Sequence, residues 1–346
     1  MTRNGTFRLT AFAAALSGLA AGGPAQAQER TRAAEETHSN FIENAPEGFI
    51  PPPLHPEGVQ LRTEKLGEGV YALFSDHPGV DNSGFIVGER GVLVIDAHIN
   101  GEMARQIQSA VSAVTDRPIL YLVNTNYHGD HTFGNSSFPA ETKIIAHRAT
   151  AERMRSFEHE REFLLPTVNG DTSVYADATL RLPDITFEES LRIDLGGRVV
   201  EVWHFGRGNT PGDTVVYAPD AKAAWTGNLV IGEGTIAIVF EGHTSEYLAT
   251  IARLAGTLDI RTIVPGHGFK TTGATLGRYM AYLSSLLDDV RGAFDAGWTE
   301  EETVAALSLE ERWLPAADSQ LAGYRPFYAG LHRLNVQQTY LDLAGR

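Results

Sequence analysis

Apolar residues along the chain gather in short runs broken by polar turns, the texture of buried strands separated by loops. Residues 84–96 read as a hairpin: an apolar strand, a turn at Glu89, Arg90 and Gly91, and a second, uninterrupted apolar strand ending at Asp96. Residues 214–228 repeat the plan, with Val215, Val216 and Tyr217, a turn at Pro219 and Asp220, and a strand running to a polar tip. Helical spacing follows each hairpin, at 103–114 and at 245–258. Further strands are predicted at 119–123, 143–146 and 262–264, and two within 191–203 around Gly196 and Gly197. Further helices are predicted at 149–157, 277–293 and 300–307. Two similar halves, each a hairpin-rich sheet followed by helices, predict an α/β fold of four layers, an αββα sandwich. The strand ends carrying Asp96, the run 126–131, Asn209, Asn228 and His267 then meet at one edge, where a rigid scaffold presents a site on its loops.

The two ends of the chain depart from this texture. Arg3 and Arg8 precede an alanine-rich apolar run at 9–21 and the small-residue motif Ala25, Gln26, Ala27. That is the pattern of a secretory signal, too short to span a membrane, so 1–27 is expected to be removed and the protein to be periplasmic or secreted. Residues 28–60 are polar and include Pro51, Pro52 and Pro53, and read as a linker or arm. The expected organisation is a main domain over 61–295 and a helical extension over 296–346.

Composition narrows the chemistry. The chain of 346 residues holds no cysteine, which excludes disulfides, thiolate metal ligands and a cysteine nucleophile. The formal charge of −15 argues against a nucleic acid or an anionic membrane as partner, and a small-molecule substrate is expected instead. Neither a Gly-x-Gly-x-x-Gly between strand and helix nor a Gly-x-Ser-x-Gly is present.

The strongest chemical signal is the run from Asn124 to Asn135, in which His128, Asp130 and His131 stand within four residues directly after a buried strand. A cation needs several ligands converging, and such a loop can aim several side chains at one point. This run resembles the His-x-His-x-Asp-His signature of the metallo-β-lactamase superfamily. Residues 206–213 resemble its second motif, Gly-x-x-His-Thr-x-Gly-Asp. Trp225, Thr226, Gly227, Asn228 and Leu229 resemble its Thr-Gly-Asp-Leu motif, and Val264, Pro265, Gly266, His267 and Gly268 its last motif. Asp96 falls where the family keeps a buried aspartate. The resemblance covers roughly residues 70–294 and implies the αββα sandwich already inferred.

Three ligand positions of that family carry asparagine here: Asn126, Asn209 and Asn228. The resemblance implies that the first metal site keeps only His128, whereas the second keeps Asp130, His131 and His267. An amide oxygen is a poor zinc ligand beside imidazole or carboxylate. The expected metal set is therefore His128, Asp130, His131 and His267, with one zinc ion held chiefly by the last three and iron as the other candidate. His128 is the expected general base, and Asn126, Asn209 and Asn228 the expected donors to an oxyanion. The reading is a hydrolase of an ester, lactone, thioester or amide using metal-activated water. The alternatives are a non-catalytic family member binding a small ligand, and a β-lactamase, lyase or iron enzyme on the same fold.

Overall fold

In a computed structural model, residues 45–345 are described, apart from Glu233 and Gly242; the expected signal segment lies outside them. Strands β1 (Leu61–Gly67), β2 (Val70–Ser75), β3 (Ser83–Val87), β4 (Val92–Ile95), β5 (Ile119–Val123), β6 (Lys143–His147) and β7 (Ile185–Phe187) form one sheet in sequence order. β1 to β4 are antiparallel, with Val87 opposite Val92 across the predicted turn, and β4 to β7 run parallel. The second sheet is ordered β12-β11-β10-β9-β8, from β8 (Ser190–Asp194), β9 (Val199–Trp203), β10 (Val215–Ala218), β11 (Ala223–Trp225) and β12 (Thr262–Val264). Its β11 and β12 are parallel and the rest antiparallel.

The helices are α1 (Gly101–Ser112), α2 (Gly129–Thr132), α3 (Arg148–Arg153), α4 (Phe157–Leu164), α5 (Thr244–Thr257), α6 (Thr275–Asp295), α7 (Glu300–Ala306) and α8 (Arg325–Leu343). Layering follows from the strand sequences. All of β4 is buried: Leu93 and Ile95 face Val200, Val216 and Trp225 of the second sheet, whereas Val92 and Val94 face Ala104, Ile107 and Val111 of α1. A strand covered on both faces loses polar alternation, which is why the hairpins read as continuous apolar runs. On the far side, Val215, Tyr217 and Ile263 pack with Tyr247, Ile251 and Leu254 of α5 and Tyr279 and Leu283 of α6. The result is the αββα sandwich expected from the sequence.

Three local features differ from the sequence reading. The helix expected at 149–157 is two helices: α3 stops at Arg153, and the chain turns so that the Phe157 ring packs at a tilt against Phe133, centroids 4.9 Å apart. β1 and β7 are edge strands carrying exposed residues, and an edge strand needs no apolar period. Residues 45–60 are not a bare tether, since Leu54 and Val59 are buried. The helical extension packs into the same core as α5 and α6 through Tyr328, Leu331, Leu334 and Val336. Among the described residues no helix is long and apolar enough to cross a membrane.

Candidate metal centre

Parallel pairing brings the loops of the site together. β4 and β5 end in register, Ile95 beside Val123, as do β11 and β12, Trp225 beside Val264. The segments that follow carry Asp96, the run 124–135, Asn228 and His267. An amide pair closes the run, Asn124 and Asn135 each donating to the other's carbonyl at 3.0 and 2.9 Å.

At this edge four side chains converge: Asp81, Asp130, His131 and His267, each offering one donor atom within 4.8 Å of the others. Oδ1 of Asp81 lies 3.3 Å from Nε2 of both His131 and His267. Asp130 lies 3.4 Å from His267 Nε2 through Oδ2 and 4.0 Å from His131 Nε2 through Oδ1. Both oxygens of Asp81 and Oδ1 of Asp130 are buried and accept no hydrogen bond. Buried carboxylates without donors are costly, and a divalent cation answers both carboxylates at once. Two imidazoles and two carboxylates, with no thiolate, form a donor set that suits zinc or iron. The residues present therefore fit a metal ion.

The protonation balance of the cluster points the same way. Burial and the neighbouring Asp130 carboxylate push Asp81 up to about 7. Burial also works to raise Asp130, but His131 and His267 outweigh it and hold this carboxyl below the ordinary range. Burial opposes the charged form of His131, yet Asp96, Asp81 and Asp130 raise its pKa well above that of a free imidazole.

Neighbouring groups fix the orientation of these side chains. Nδ1 of His131 is 2.9 Å from Asp96 Oδ2, and Asp96 in turn accepts from the Thr125 N–H and hydroxyl, both at 2.7 Å. Such a carboxylate turns the far nitrogen toward the metal position. The loop bearing Asp81 is stapled by Asn82, which accepts from Ser75 N–H at 3.0 Å and donates to the carbonyls of Pro265 and Gly268 at 3.0 and 2.9 Å. One side chain thus ties the Asp81 loop to the His267 loop. Asp96 and His98 have φ of 57° and 62°, a left-handed conformation that is uncommon outside glycine and gathers at functional sites. His98 is fully buried, its Nδ1 3.8 Å from Asp81 Oδ2, and burial drives its pKa down to about 3.

Of the residues singled out in the sequence, Asp130, His131 and His267 are brought together. His128 stands outside this set of four. Its Nδ1 lies 3.1 Å from Glu160 Oε1, which also accepts from Gly129 N–H at 2.9 Å, and its ring stacks on Phe163. Burial lowers the His128 pKa, but Glu160 more than offsets this and the net shift is upward. Asn228 lines the cavity at the site, and its Oδ1 lies 3.1 Å from His131 Nε2. Asn126 and Asn209 are fully buried and do not line that cavity: Asn126 Oδ1 accepts from His128 N–H at 2.8 Å, and Asn209 Nδ2 donates to the Ile238 carbonyl at 3.1 Å. Asp213 holds its own turn through Thr210. Arg207 points to Glu241 at 3.5 Å and Lys270 pairs with Glu64, so neither lines the cavity.

Sequence reasoning missed Asp81 and Glu160. Asp81 precedes β3 and has no spacing relation to the other ligands. Glu160 sits in the charged stretch 157–165, which no motif marks as part of the site, and it is 4% exposed.

Comparison with known proteins agrees with this fold. A family model described as the metallo-beta-lactamase superfamily matches residues 77–267, more than half of the chain. The chain is 26% identical over 218 residues to the 2,4-dinitroanisole O-demethylase subunit alpha of Nocardioides sp. (strain JS1661), covering 62% of this chain and 58% of that protein. It is 21% identical over 300 residues to the linear primary-alkylsulfatase of Pseudomonas sp. (strain ATCC 19151), covering 75% and 55%. The chain thus spans less than two thirds of the curated relatives it matches. Among solved structures, a metallo-beta-lactamase from Pontibacter korlensis superposes with a TM-score of 0.52 at 20% identity, covering 65% of this chain and 99% of that one. The DIM-1 metallo-beta-lactamase exposed to ceftazidime gives 0.50 at 16%, covering 65% and 97%.

Proposed function

The chain belongs to the metallo-beta-lactamase superfamily, and from that premise we propose that it is an exported hydrolase using one metal ion, zinc before iron, to cleave an ester, lactone, thioester or amide. The family supplies the hydrolytic class. The observation that carries the single-metal reading is the convergence of Asp81, Asp130, His131 and His267, with both buried oxygens of Asp81 accepting no hydrogen bond. The positions that would complete a second site are occupied otherwise: His128 faces Glu160, and Asn126 and Asn209 bond to backbone.

What zinc supplies when bound is Lewis acidity toward a carbonyl and toward water. The rest of the chemistry belongs to the chain. Asp96 holds His131 in the tautomer that presents Nε2. Asp81 and Asp130 would match the charge of a dication held between them. His128 lines the same cavity as Asp130 and His267, and Glu160 fixes its ring; it is the group placed to hold a proton beside the reacting carbonyl. Asn228 is the one asparagine of the three that reaches the cavity wall. Export rests on the basic start, the apolar run and the small-residue motif.

Metal analysis of protein purified without added metal tests the reading. About one zinc per chain is expected, together with turnover of an ester and lactone panel. Two metals per chain, or none with full activity, would overturn it. Iron in place of zinc would move the assignment to the oxidoreductase or lyase alternative. N-terminal sequencing of the exported protein should begin at Gln28.

A further inference from the structure

The cavity that opens onto Asp130 and His267 measures about 240 Å³. Its polar end is the site itself, with His128, Asp130, Asn228 and His267. The remaining wall is apolar and largely aromatic. Phe163, Ile238 and Phe240 come from the segment matched by the family, but Phe49, Leu54, Phe327 and Tyr328 come from the N-terminal arm and from α8, outside it.

The arm is built into this wall. Leu54 N–H donates to the Thr167 carbonyl at 3.0 Å, and Arg333 on α8 donates to the Glu47 carbonyl at 3.1 Å. Two glycines allow the approach: a Cβ on Gly79 would stand 1.9 Å from the Pro53 carbonyl oxygen, and one on Gly330 would stand 2.5 Å from that of Gly48. Backbone can pass this close only where no side chain intervenes.

Among the described residues neither lysine nor arginine lines the cavity. The nearby Arg153 and Arg207 both point to Glu241, at 2.8 and 3.5 Å. A charge on the part of a substrate lying here would be buried without a partner. A cavity of about 150 Å³ takes one benzene ring, so this one takes a ring with a short substituent or a medium alkyl chain, roughly ten non-hydrogen atoms.

We propose, resting on the hydrolase reading above, that the substrate is a carboxylic ester or lactone whose acyl group is uncharged and apolar, seated against the arm and α8. Water cleaves its acyl C–O bond to give the acid and the alcohol. The arm and α8 set acyl specificity, and the metal cluster does not.

The test compares 4-nitrophenyl acetate, octanoate and hemisuberate, alongside calorimetric binding of octanamide, a neutral compound of the same length. Burial of each methylene is worth about fourfold in kcat/KM, so the six that separate octanoate from acetate are worth a few thousand-fold when all are buried, and octanoate should exceed acetate by at least roughly 100-fold. The terminal carboxylate of hemisuberate should cancel at least tenfold of that gain, because it has no partner in the wall. Gly330→Ala improves helix propensity but drives a methyl into the arm; it should raise KM for octanoate about tenfold and leave zinc content and acetate turnover unchanged. Phe327→Ala, on a half-exposed face, should likewise raise KM for octanoate. Equal kcat/KM for acetate and octanoate, or hemisuberate matching octanoate, overturns the inference while the hydrolase reading stands. If no ester is cleaved yet octanamide binds, and binds more weakly to Gly330→Ala, the hydrolase reading falls and the apolar acyl site stands. Absence of both turnover and octanamide binding overturns the acyl site itself.

Discussion

Replacing Asn82 with alanine should damage the site without touching a ligand. Asn82 is 2% exposed and its side chain makes three hydrogen bonds, one to Ser75 of β2 and two to the loop that carries His267. Each is worth about 1 kcal/mol net, and each partner left buried and unpaired adds to the loss, so Asn82→Ala should cost about 3–4 kcal/mol. The two loops would keep their backbone links, Asn82 N–H to the Gly266 carbonyl at 2.7 Å and Gly268 N–H to that of Pro78 at 3.1 Å, but lose the side chain that fixes their spacing. Asp81 and His267 are 3.3 Å apart across them, so metal affinity should fall about 10–100-fold, the usual effect of removing a group that positions ligands. Asn82→Asp separates the donors from the acceptor: it keeps the bond from Ser75 but aims an anion at two carbonyl oxygens, and should be at least as harmful. Urea unfolding of the metal-free protein reads the first effect, and competition with a chromophoric zinc chelator reads the second. A loss below about 1 kcal/mol would refute the hydrogen-bond accounting. Full loss of stability with unchanged zinc affinity would refute the claim that the staple positions Asp81.

Asp81→Ala, Asp130→Ala and His267→Ala should each abolish bound zinc by elemental analysis, whereas Asn209→Ala should retain most of it; equal loss in Asn209→Ala would undo the single-site assignment. Glu160→Gln keeps the bond from Gly129 but removes the charge facing His128, and should lower kcat about tenfold with zinc content unchanged, read by steady-state kinetics with metal analysis of the same sample. Burial holds His332 down to about 4, against about 6.5 when unfolded, and Tyr282 contacts its Nδ1 at 2.9 Å. The folded state therefore resists protonation of His332, and stability should be full above pH 6.5 and fall toward pH 4, by at most ~3 kcal/mol. His332→Gln should flatten that fall in denaturant melts across the pH range, leaving the share due to His98, His147 and His204, which burial lowers in the same direction. An unchanged pH profile in the variant would clear His332 of the effect.

What was legible in the sequence follows from where each signal resides. The hairpins were visible because β4 and β10 are covered on both faces, which leaves no polar position to blur the run. Asp130 and His131 were visible because one loop carries them, and His267 because it follows a buried strand within a short motif. Asp81 was not, because its role depends on three segments meeting, and a single aspartate before a strand looks like any turn residue. His128 was placed among the ligands from its spacing, whereas its ring is turned to Glu160, a contact set by how α4 folds back over the 124–135 run. The apolar wall of the cavity was equally hidden, since no pattern in the sequence marks that the arm and α8 meet, at Gly330 and at Arg333.

The exchange of carboxylates at the site is a matter of charge. Two carboxylates, Asp81 and Asp130, face the metal position itself and match one dication, Asp96 lying behind His131; a third carboxylate on the metal position would leave that donor set negative, which is costly away from water. Asn228 sits beside His131 in the place of a family aspartate and adds no charge. On this account the position of the second carboxylate matters less than its number. Asp81→Asn should lose zinc, and Asn228→Asp alone should gain little, because the site then carries one charge too many for a single ion. Asp81→Asn with Asn228→Asp restores the count and should recover zinc binding to within about tenfold of the native protein. The single variants and the exchange are compared by zinc competition at one pH, with thermal unfolding as the check on folding. An exchange variant as metal-free as Asp81→Asn alone, yet folded, would show that the Asp81 loop supplies geometry that the end of β11 cannot, and that charge counting is not what governs this site.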